Sequence, residues 1–290
     1  MDYFLVTKPL QFMVCSALSE RLNLRGMLLV VDSFYGAKEF SEKSELLKYF
    51  SDVVFFSTIQ KAFVFLIKSK GISRVYIDSD YGVQKNVMFL IIKLLNRKVQ
   101  INVYEEGNGI YRNDLVQGRL KKMAYHFLPL SASLGGSPFI EYIYVIDKNK
   151  YTSLRPELSA KAIDIDIDFA NWINGNIEKL ISLFGGWKEI KSPLVRECIL
   201  YVTNWEIDTT VVDHLSNQER CFFIKPHPHI KELDINESIN VINPGLPVEV
   251  VLIKLLDIFD TVDVYHSGTS ALDYVDNSRI NSFDIRKLSM

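Results

Sequence analysis

Residues 74–107 read RVYIDSDYGVQKNVMFLIIKLLNRKVQINVYEEG, and this stretch decides the fold class. Residues 74–77 form a short apolar run of strand length, 84–95 carry apolar side chains at helical spacing, and 100–104 form a second strand run. A strand, a helix and a strand in so few residues make a βαβ unit, which requires the two strands to be parallel. Working outward, the same alternation predicts strands at 3–6, 27–31 and 53–56. Helical segments follow residue 10 and cover 38–49 and 59–69. The first hundred residues therefore predict a parallel, doubly wound sheet with helices on both faces.

Downstream, the pattern loosens over 111–157, where Pro129, Gly135, Gly136, Pro138 and Pro156 interrupt it. Residues 169–184 read as a helix closing on Gly185-Gly186, and a second alternating series then begins. Strands are predicted at 198–203, 221–225, 241–242 and 261–265, with helices at 208–215, 247–258 and 269–274. The expected fold class is α/β with two Rossmann-like domains, at 1–155 and 196–290, joined by an interdomain segment at 156–195.

Composition narrows the function. Hydrophobic residues make up 48% of the 290, enough for sizeable cores and too many for a disordered chain. Lys and Arg number 33 against 35 Asp and Glu, a net charge of −2 that argues against nucleic acid as the partner. Cys15, Cys198 and Cys221 show neither metal-ligand nor disulfide spacing, which fits a reducing compartment. The opening Met1-Asp2-Tyr3 lacks a leader pattern, and the apolar run 87–95 is interrupted by Lys93 and too short to span a bilayer. These features predict a cytoplasmic protein.

Ligands of open parallel sheets gather at the carboxyl ends of strands, so motifs there carry the chemistry. Tyr104-Glu105-Glu106-Gly107 ends a predicted strand. Adjacent side chains point to opposite faces, so one carboxylate rather than a facing pair would be a base. The plainer reading is two solvated carboxylates at a turn. Lys225-Pro226-His227-Pro228 holds an imidazole between two prolines, where His227 and Lys225 could neutralise or protonate a leaving phosphate; the plainer reading is a rigid turn. His266-Ser267-Gly268-Thr269-Ser270 joins a strand to a predicted helix. Free amides and hydroxyls there suit a phosphate, and an ordinary Ser/Thr cap is the alternative. Glu249, after Leu246-Pro247-Val248, could accept from ribose hydroxyls or simply favour its helix dipole.

The order of these motifs resembles bacterial sialyltransferases of the glycosyltransferase family 52 type and is similar to bacterial polysialyltransferases. The shared pattern is acidic-acidic-Gly (Glu105-Glu106-Gly107), His-Pro (His227-Pro228) and paired hydroxyls (Thr269-Ser270), preceded by an opening Thr7-Lys8-Pro9-Leu10-Gln11. The resemblance implies a GT-B fold, two Rossmann-like lobes facing a cleft, and an inverting, metal-independent transfer of sialic acid from CMP-sialic acid. The acceptor would be a hydroxyl of a glycan, such as a galactoside of a bacterial surface polysaccharide or lipooligosaccharide. It implies Glu105 as the general base with Glu106 as second choice, in an acceptor-side N-terminal lobe, and His227 as partner of the departing phosphate. In the nucleotide-binding C-terminal lobe, Thr269 and Ser270 would hold that phosphate with Ser267, Gly268, Lys225 and Pro228 beside it, and Glu249 would meet the ribose. Gln11, Gly107 and Asn108 would line the acceptor or donor-sugar side. No cofactor is expected.

Two other enzyme readings compete. Asp78-Ser79-Asp80 has the Asp-x-Asp form by which GT-A enzymes hold a metal and a sugar diphosphate, and Asp164, Asp166 and Asp168 repeat the spacing as if on one strand face. A glycosidase needs two convergent carboxyl groups and leaves the phosphate features unexplained. A non-catalytic nucleotide-binding module is the reading outside enzymology. Finally, Arg119, Lys121 and Lys122, among Leu115, Leu120, Met123, Tyr125 and Phe127, could rest on an anionic membrane carrying a lipid-linked acceptor.

Overall fold

The computed structural model describes residues 1–112, 115, 123, 125, 130, 133–187, 190, 195–230 and 239–287. It divides into two compact units: residues 1–32 with 41–167, and residues 33–40 with 168–290.

The first unit is built on a seven-stranded, wholly parallel sheet. Its strands are β1 (Asp2–Val6), β2 (Met27–Val31), β3 (Asp52–Phe56), β4 (Arg74–Ile77), β5 (Gln100–Tyr104), β6 (Ile140–Val145) and β7 (Ala162–Asp164). Their spatial order is β3-β2-β1-β4-β5-β6-β7, so the winding reverses between β1 and β4. Runs such as Phe4-Leu5-Val6 and Leu28-Leu29-Val30 are buried along their whole length, as strands covered on both faces must be. Pro9 opens helix α1 (Pro9–Arg21), where its fixed φ suits the first turn and its missing N–H costs nothing. Helix α3 (Ile59–Lys68) is capped by the Thr58 hydroxyl, which accepts from the Lys61 amide, and α4 (Val83–Leu95) returns the chain to β5.

The expected helix over 38–49 is instead a short α2 (Ala37–Ser41) and a 3₁₀ turn (Ser44–Lys48), because Lys43 adopts an extended conformation between them. Within the loosened stretch lie β6, helix α5 (Lys148–Leu154), capped by Asp147, and a turn in which Asp80 accepts amides from Gly135 and Ser137, both at 2.8 Å. The 156–195 stretch contributes β7 to the first sheet and helix α6 (Phe169–Phe184), capped by Asp168, to the second unit.

The second unit repeats the design with five parallel strands: β8 (Glu197–Val202), β9 (Cys221–Lys225), β10 (Asn240–Val241), β11 (Thr261–His266) and β12 (Ile280–Asp284), in the order β10-β9-β8-β11-β12. Helices α7 (Thr209–Ser216), α8 (Val248–Ile258) and α9 (Ala271–Tyr274) connect them. Residues 33–40 leave the first sheet after β2 and join this unit. There the Tyr35 amide donates to the Pro228 carbonyl at 2.8 Å and Phe40 stacks on Phe184 at 4.9 Å. Each unit has its own core, one around Leu29, Val75, Phe89 and Val103, the other around Ile199, Tyr201, Leu215 and Ile224. Among the described residues no helix is long and apolar enough to cross a membrane.

Candidate functional site

In the first unit, the carboxyl edge of the sheet gathers the Thr7-Lys8-Pro9-Leu10-Gln11 segment after β1, Asp78 after β4 and Glu105-Glu106-Gly107 after β5. The two glutamates point to opposite sides, as the alternation of an extended chain requires. Glu105 is 1% exposed, and one of its carboxylate oxygens accepts from the Tyr111 hydroxyl at 2.6 Å and the Ile146 amide at 2.7 Å. Gly107, at φ 104°, turns the chain into a 3₁₀ turn (Asn108–Tyr111) that carries Tyr111 back to Glu105. Burial and the facing Glu105 carboxylate push the Tyr111 phenol well above its ordinary value.

Glu106 faces the opening segment. Its Oε2 accepts from Lys8 Nζ and from Gln11 Nε2, each at 3.0 Å, while Gln11 Oε1 accepts from the Thr7 amide at 2.6 Å and the Thr7 hydroxyl at 3.0 Å. Gln11 is fully buried with both ends of its amide engaged, so it orients Glu106 rather than lining a sugar pocket. The other oxygen, Oε1, lies where a Cβ at residue 109 would come within 2.8 Å, so Gly109 leaves it room; Oε1 has no hydrogen-bond partner among the described residues. Burial first, then the nearby Asp78 charge, raise the Glu106 carboxyl, with Lys8 and Gln11 opposing them. Burial pulls Lys8 down, but Glu106 and Asp78 outweigh it and leave the ammonium raised. Asn108 is exposed beside this group. Lys8 is the participant that motif reading passed over; its signal was a cation immediately after the strand bordering the winding reversal.

The aspartate pairs do other work. Asp78 pairs with Lys85 at 3.3 Å, and both Asp80 oxygens are taken by amides, so Asp-x-Asp here caps a turn. Asp164, Asp166 and Asp168 do not share a strand face. β7 ends at Asp164, which accepts from the Asp166 amide; Asp166 pairs with Arg21; Asp168 caps α6. Among the described residues no group of three or more His, Cys, Asp or Glu side chains is placed to hold a metal ion.

In the second unit, β9 and β11 end in the His-Pro turn and the hydroxyl-rich loop, and β8 ends beside the first of these. The Thr203 hydroxyl after β8 accepts from the His227 amide at 3.0 Å, and the Thr203 amide donates to the Lys225 carbonyl at 3.1 Å, tying the His-Pro turn to the neighbouring strand end. His227 Nδ1 accepts from the His229 amide at 3.3 Å, which leaves Nε2 to carry the proton of the neutral ring. Both imidazoles stack on Trp205, with centroids at 4.8 and 4.6 Å, and they lie 5.0 Å from each other. Rings on opposite faces of an indole would be about twice that far apart, so both sit on one side of Trp205, which is 64% exposed.

The Lys225 ammonium, expected at a phosphate, is turned inward. It is fully buried and donates to the carbonyls of Pro226 at 2.7 Å and Pro244 at 3.0 Å. Burial lowers it to about 7, with the Glu249 charge opposing. Glu249, expected at a ribose, is also buried, and burial raises it to about 7 against the pull of Lys225.

The hydroxyl-rich loop differs from expectation as well. The helix after it begins at Ala271 and has only four residues, and the Gly268 and Thr269 amides both donate to His266 Nδ1, at 2.9 and 3.3 Å. Thr269 Oγ1 accepts from the Ala271 amide. The two amides offered to an anion are thus spent on the imidazole, whose Nε2 meets the Ser282 hydroxyl at 2.9 Å. The cation beside the loop is Arg286, which sequence reading missed. Its guanidinium makes a two-pronged pair with Asp284 and lies so close to Gly268, at φ 93°, that a Cβ there would sit 3.0 Å from it. Ser267 and Ser270 flank Gly268 and Thr269 and are partly exposed. The basic segment around Arg119, Lys121 and Lys122 lies outside the described residues.

No protein-family model matches the chain, and no curated protein matches it. Solved structures do. The wall teichoic acid polymerase TagF aligns over 94% of this chain and 67% of its own, with TM-score 0.52 and 10% identity. A histidine-to-asparagine variant of TagF soaked with CDPG for 30 minutes aligns over 94% of this chain and 66% of its own, with TM-score 0.52 and 11% identity. At such identity the likeness is one of fold: an α/β, GT-B-like chain with two Rossmann-type units, spanning about two thirds of TagF's length in those structures.

Proposed function

We propose that this chain is a GT-B-type glycosyltransferase that transfers sialic acid from CMP-sialic acid to a glycan hydroxyl, with inversion and without a metal. The observation that carries the reading is the arrangement of Glu106. One oxygen is fixed by Lys8 and Gln11, the other has no hydrogen-bond partner among the described residues, and burial raises the carboxyl, which favours proton acceptance by a base. In this reading Glu106 Oε1 takes the acceptor hydroxyl proton. Glu105, closed in by Tyr111 and Ile146, supports the turn that presents its neighbour.

The donor half belongs to the second unit. Breaking the bond to CMP builds positive charge on the sugar and negative charge on the phosphate, so fixed donors aimed at that phosphate favour the transition state over the ground state. His227 is the proposed donor, through Nε2. The loop Ser267, Gly268, Thr269 and Ser270 supplies hydroxyls, and Arg286 a positive charge beside it. Lys225 and Glu249 act from beneath, holding the Pro226 and Pro244 carbonyl turns and the first turn of α8. The acceptor would be a surface glycan, free or lipid-linked, modified on the cytoplasmic side.

The likeness to TagF, a polymerase whose variant was soaked with CDPG, favours a second reading in which the donor is CDPG. A donor panel separates the two. CMP-sialic acid, CDPG, and UDP- and GDP-sugars would be incubated with a mixed glycan acceptor set, with and without EDTA. Sialyl transfer undiminished by EDTA is the expected result. Turnover of CDPG alone would establish the second reading, and turnover restored only by Mn²⁺ would overturn the metal-independent one.

A further inference from the structure

Helix α4 is apolar on nearly every side, VQKNVMFLIIKLL. Its inner face, Asn86, Phe89 and Ile92, is buried in the first unit's core, with Phe89 meeting Phe63 of α3 edge-on at 5.9 Å. Its outer face should then be polar. Instead Val83, Val87, Leu90 and Leu94, at helical spacing, form a stripe about 17 Å long, joined by Leu95; these five are 44–67% exposed. Val64 on the neighbouring α3 is exposed as well. At its head, a cavity of ≈ 240 Å³ opens between Ile59, Phe63, Tyr81 and Val83. A thirteen-residue helix is too short to span a bilayer.

The unpaired charge that flanks the stripe in sequence is basic. From residue 57 to residue 98 there are eight basic residues and two acids, Asp78 and Asp80, both buried. Arg74, Lys85 and Lys93 are paired with Asp2, Asp78 and Glu141, while Lys61, Lys68, Lys70, Arg97 and Lys98 are exposed and make no ion pair among the described residues. A second copy packed on this face by two-fold symmetry would bring the same cations together. An anionic bilayer accepts both features at once: apolar side chains enter the acyl boundary and lysines meet headgroups.

We propose that the outer face of α4, with its lysine and arginine rim, docks the protein on an anionic lipid surface. The proposal rests on α4 and its flanking residues and requires no particular donor or reaction.

The test is flotation of the full chain with vesicles of phosphatidylcholine alone and of phosphatidylcholine mixed with phosphatidylglycerol. Binding to the mixed vesicles, weakened by salt and at least tenfold weaker with phosphatidylcholine alone, is expected. Leu90→Glu with Leu94→Glu, both at exposed sites, should reduce vesicle binding at least tenfold while far-UV circular dichroism and melting stay unchanged. Lys68→Glu with Lys70→Glu should lessen the preference for anionic vesicles. Equal flotation of wild type and the leucine variant would overturn the proposal. So would an absence of vesicle binding, including the case where light scattering finds a dimer that the leucine variant dissolves. The readout needs no turnover, so its failure is distinct from failure of the proposed reaction.

Discussion

At the scale of single residues, two adjacent glutamates separate by environment. Glu106→Gln keeps the contacts' shape but removes the proton acceptor, so transfer should fall roughly 100- to 10,000-fold with donor binding retained, as steady-state kinetics and calorimetry would measure. A loss of donor affinity with unchanged turnover would contradict the base assignment. Glu105→Gln should act on stability instead. Its carboxylate satisfies a phenol and a buried amide, and an imperfect replacement costs about 1–3 kcal/mol, read by urea unfolding. The pair shows what one-dimensional reading can and cannot reach. That the two carboxylates would diverge followed from strand alternation alone. Which one would be enclosed depended on Gly107 sending the chain back through Tyr111, and nothing local to Glu105-Glu106 encodes that return.

At the scale of elements, strands and helices with long apolar runs were legible, and short or polar ones were not. β12 reads Ile280-Asn281-Ser282-Phe283-Asp284 and, among the described residues, pairs along β11 alone, so an edge strand of mixed polarity carries no strong pattern. β7 and α5 lie among prolines and glycines that punctuate sequence whether or not regular structure continues. The loop after β11 was misread for a different reason: its hydroxyls suggested a helix cap, whereas the preceding His266 folds back and takes the amides. That contact makes a pH prediction. Burial lowers the His266 imidazole from its ordinary 6.5, with Asp284 opposing and Arg286 and Lys287 reinforcing the fall. In the window below pH 6.5 the unfolded chain therefore binds a proton that the native ring refuses. The stabilisation is complete above that pH and drains as pH falls through the native value. Melting temperatures between pH 7.5 and 5 should fall more steeply for wild type than for His266→Asn, in which nothing at this position titrates. Parallel slopes would show that the ring is not held neutral.

At the scale of the whole molecule, the two-sheet organisation was visible in sequence because each βαβ series repeats the same period. The excursion of residues 33–40 into the second unit was not, since Ser33 to Phe40 carries no marker of which core it joins. Two cores in one chain bear directly on how it unfolds. All three tryptophans, Trp172, Trp187 and Trp205, belong to the second unit, so their fluorescence reports that unit alone, while far-UV circular dichroism reports both sheets. Urea titrations by the two probes should therefore not coincide, the departure from two-state behaviour expected of multi-unit chains. CMP, if it occupies the second unit as proposed, should move the fluorescence transition by about 2.7 kcal/mol at a free concentration 100 times its Kd. Its effect on circular dichroism should be confined to the portion of the amplitude that the second sheet contributes. A shift in the remaining dichroism with the tryptophan transition unmoved would place the nucleotide on the first sheet and reverse the assignment of donor and acceptor sides.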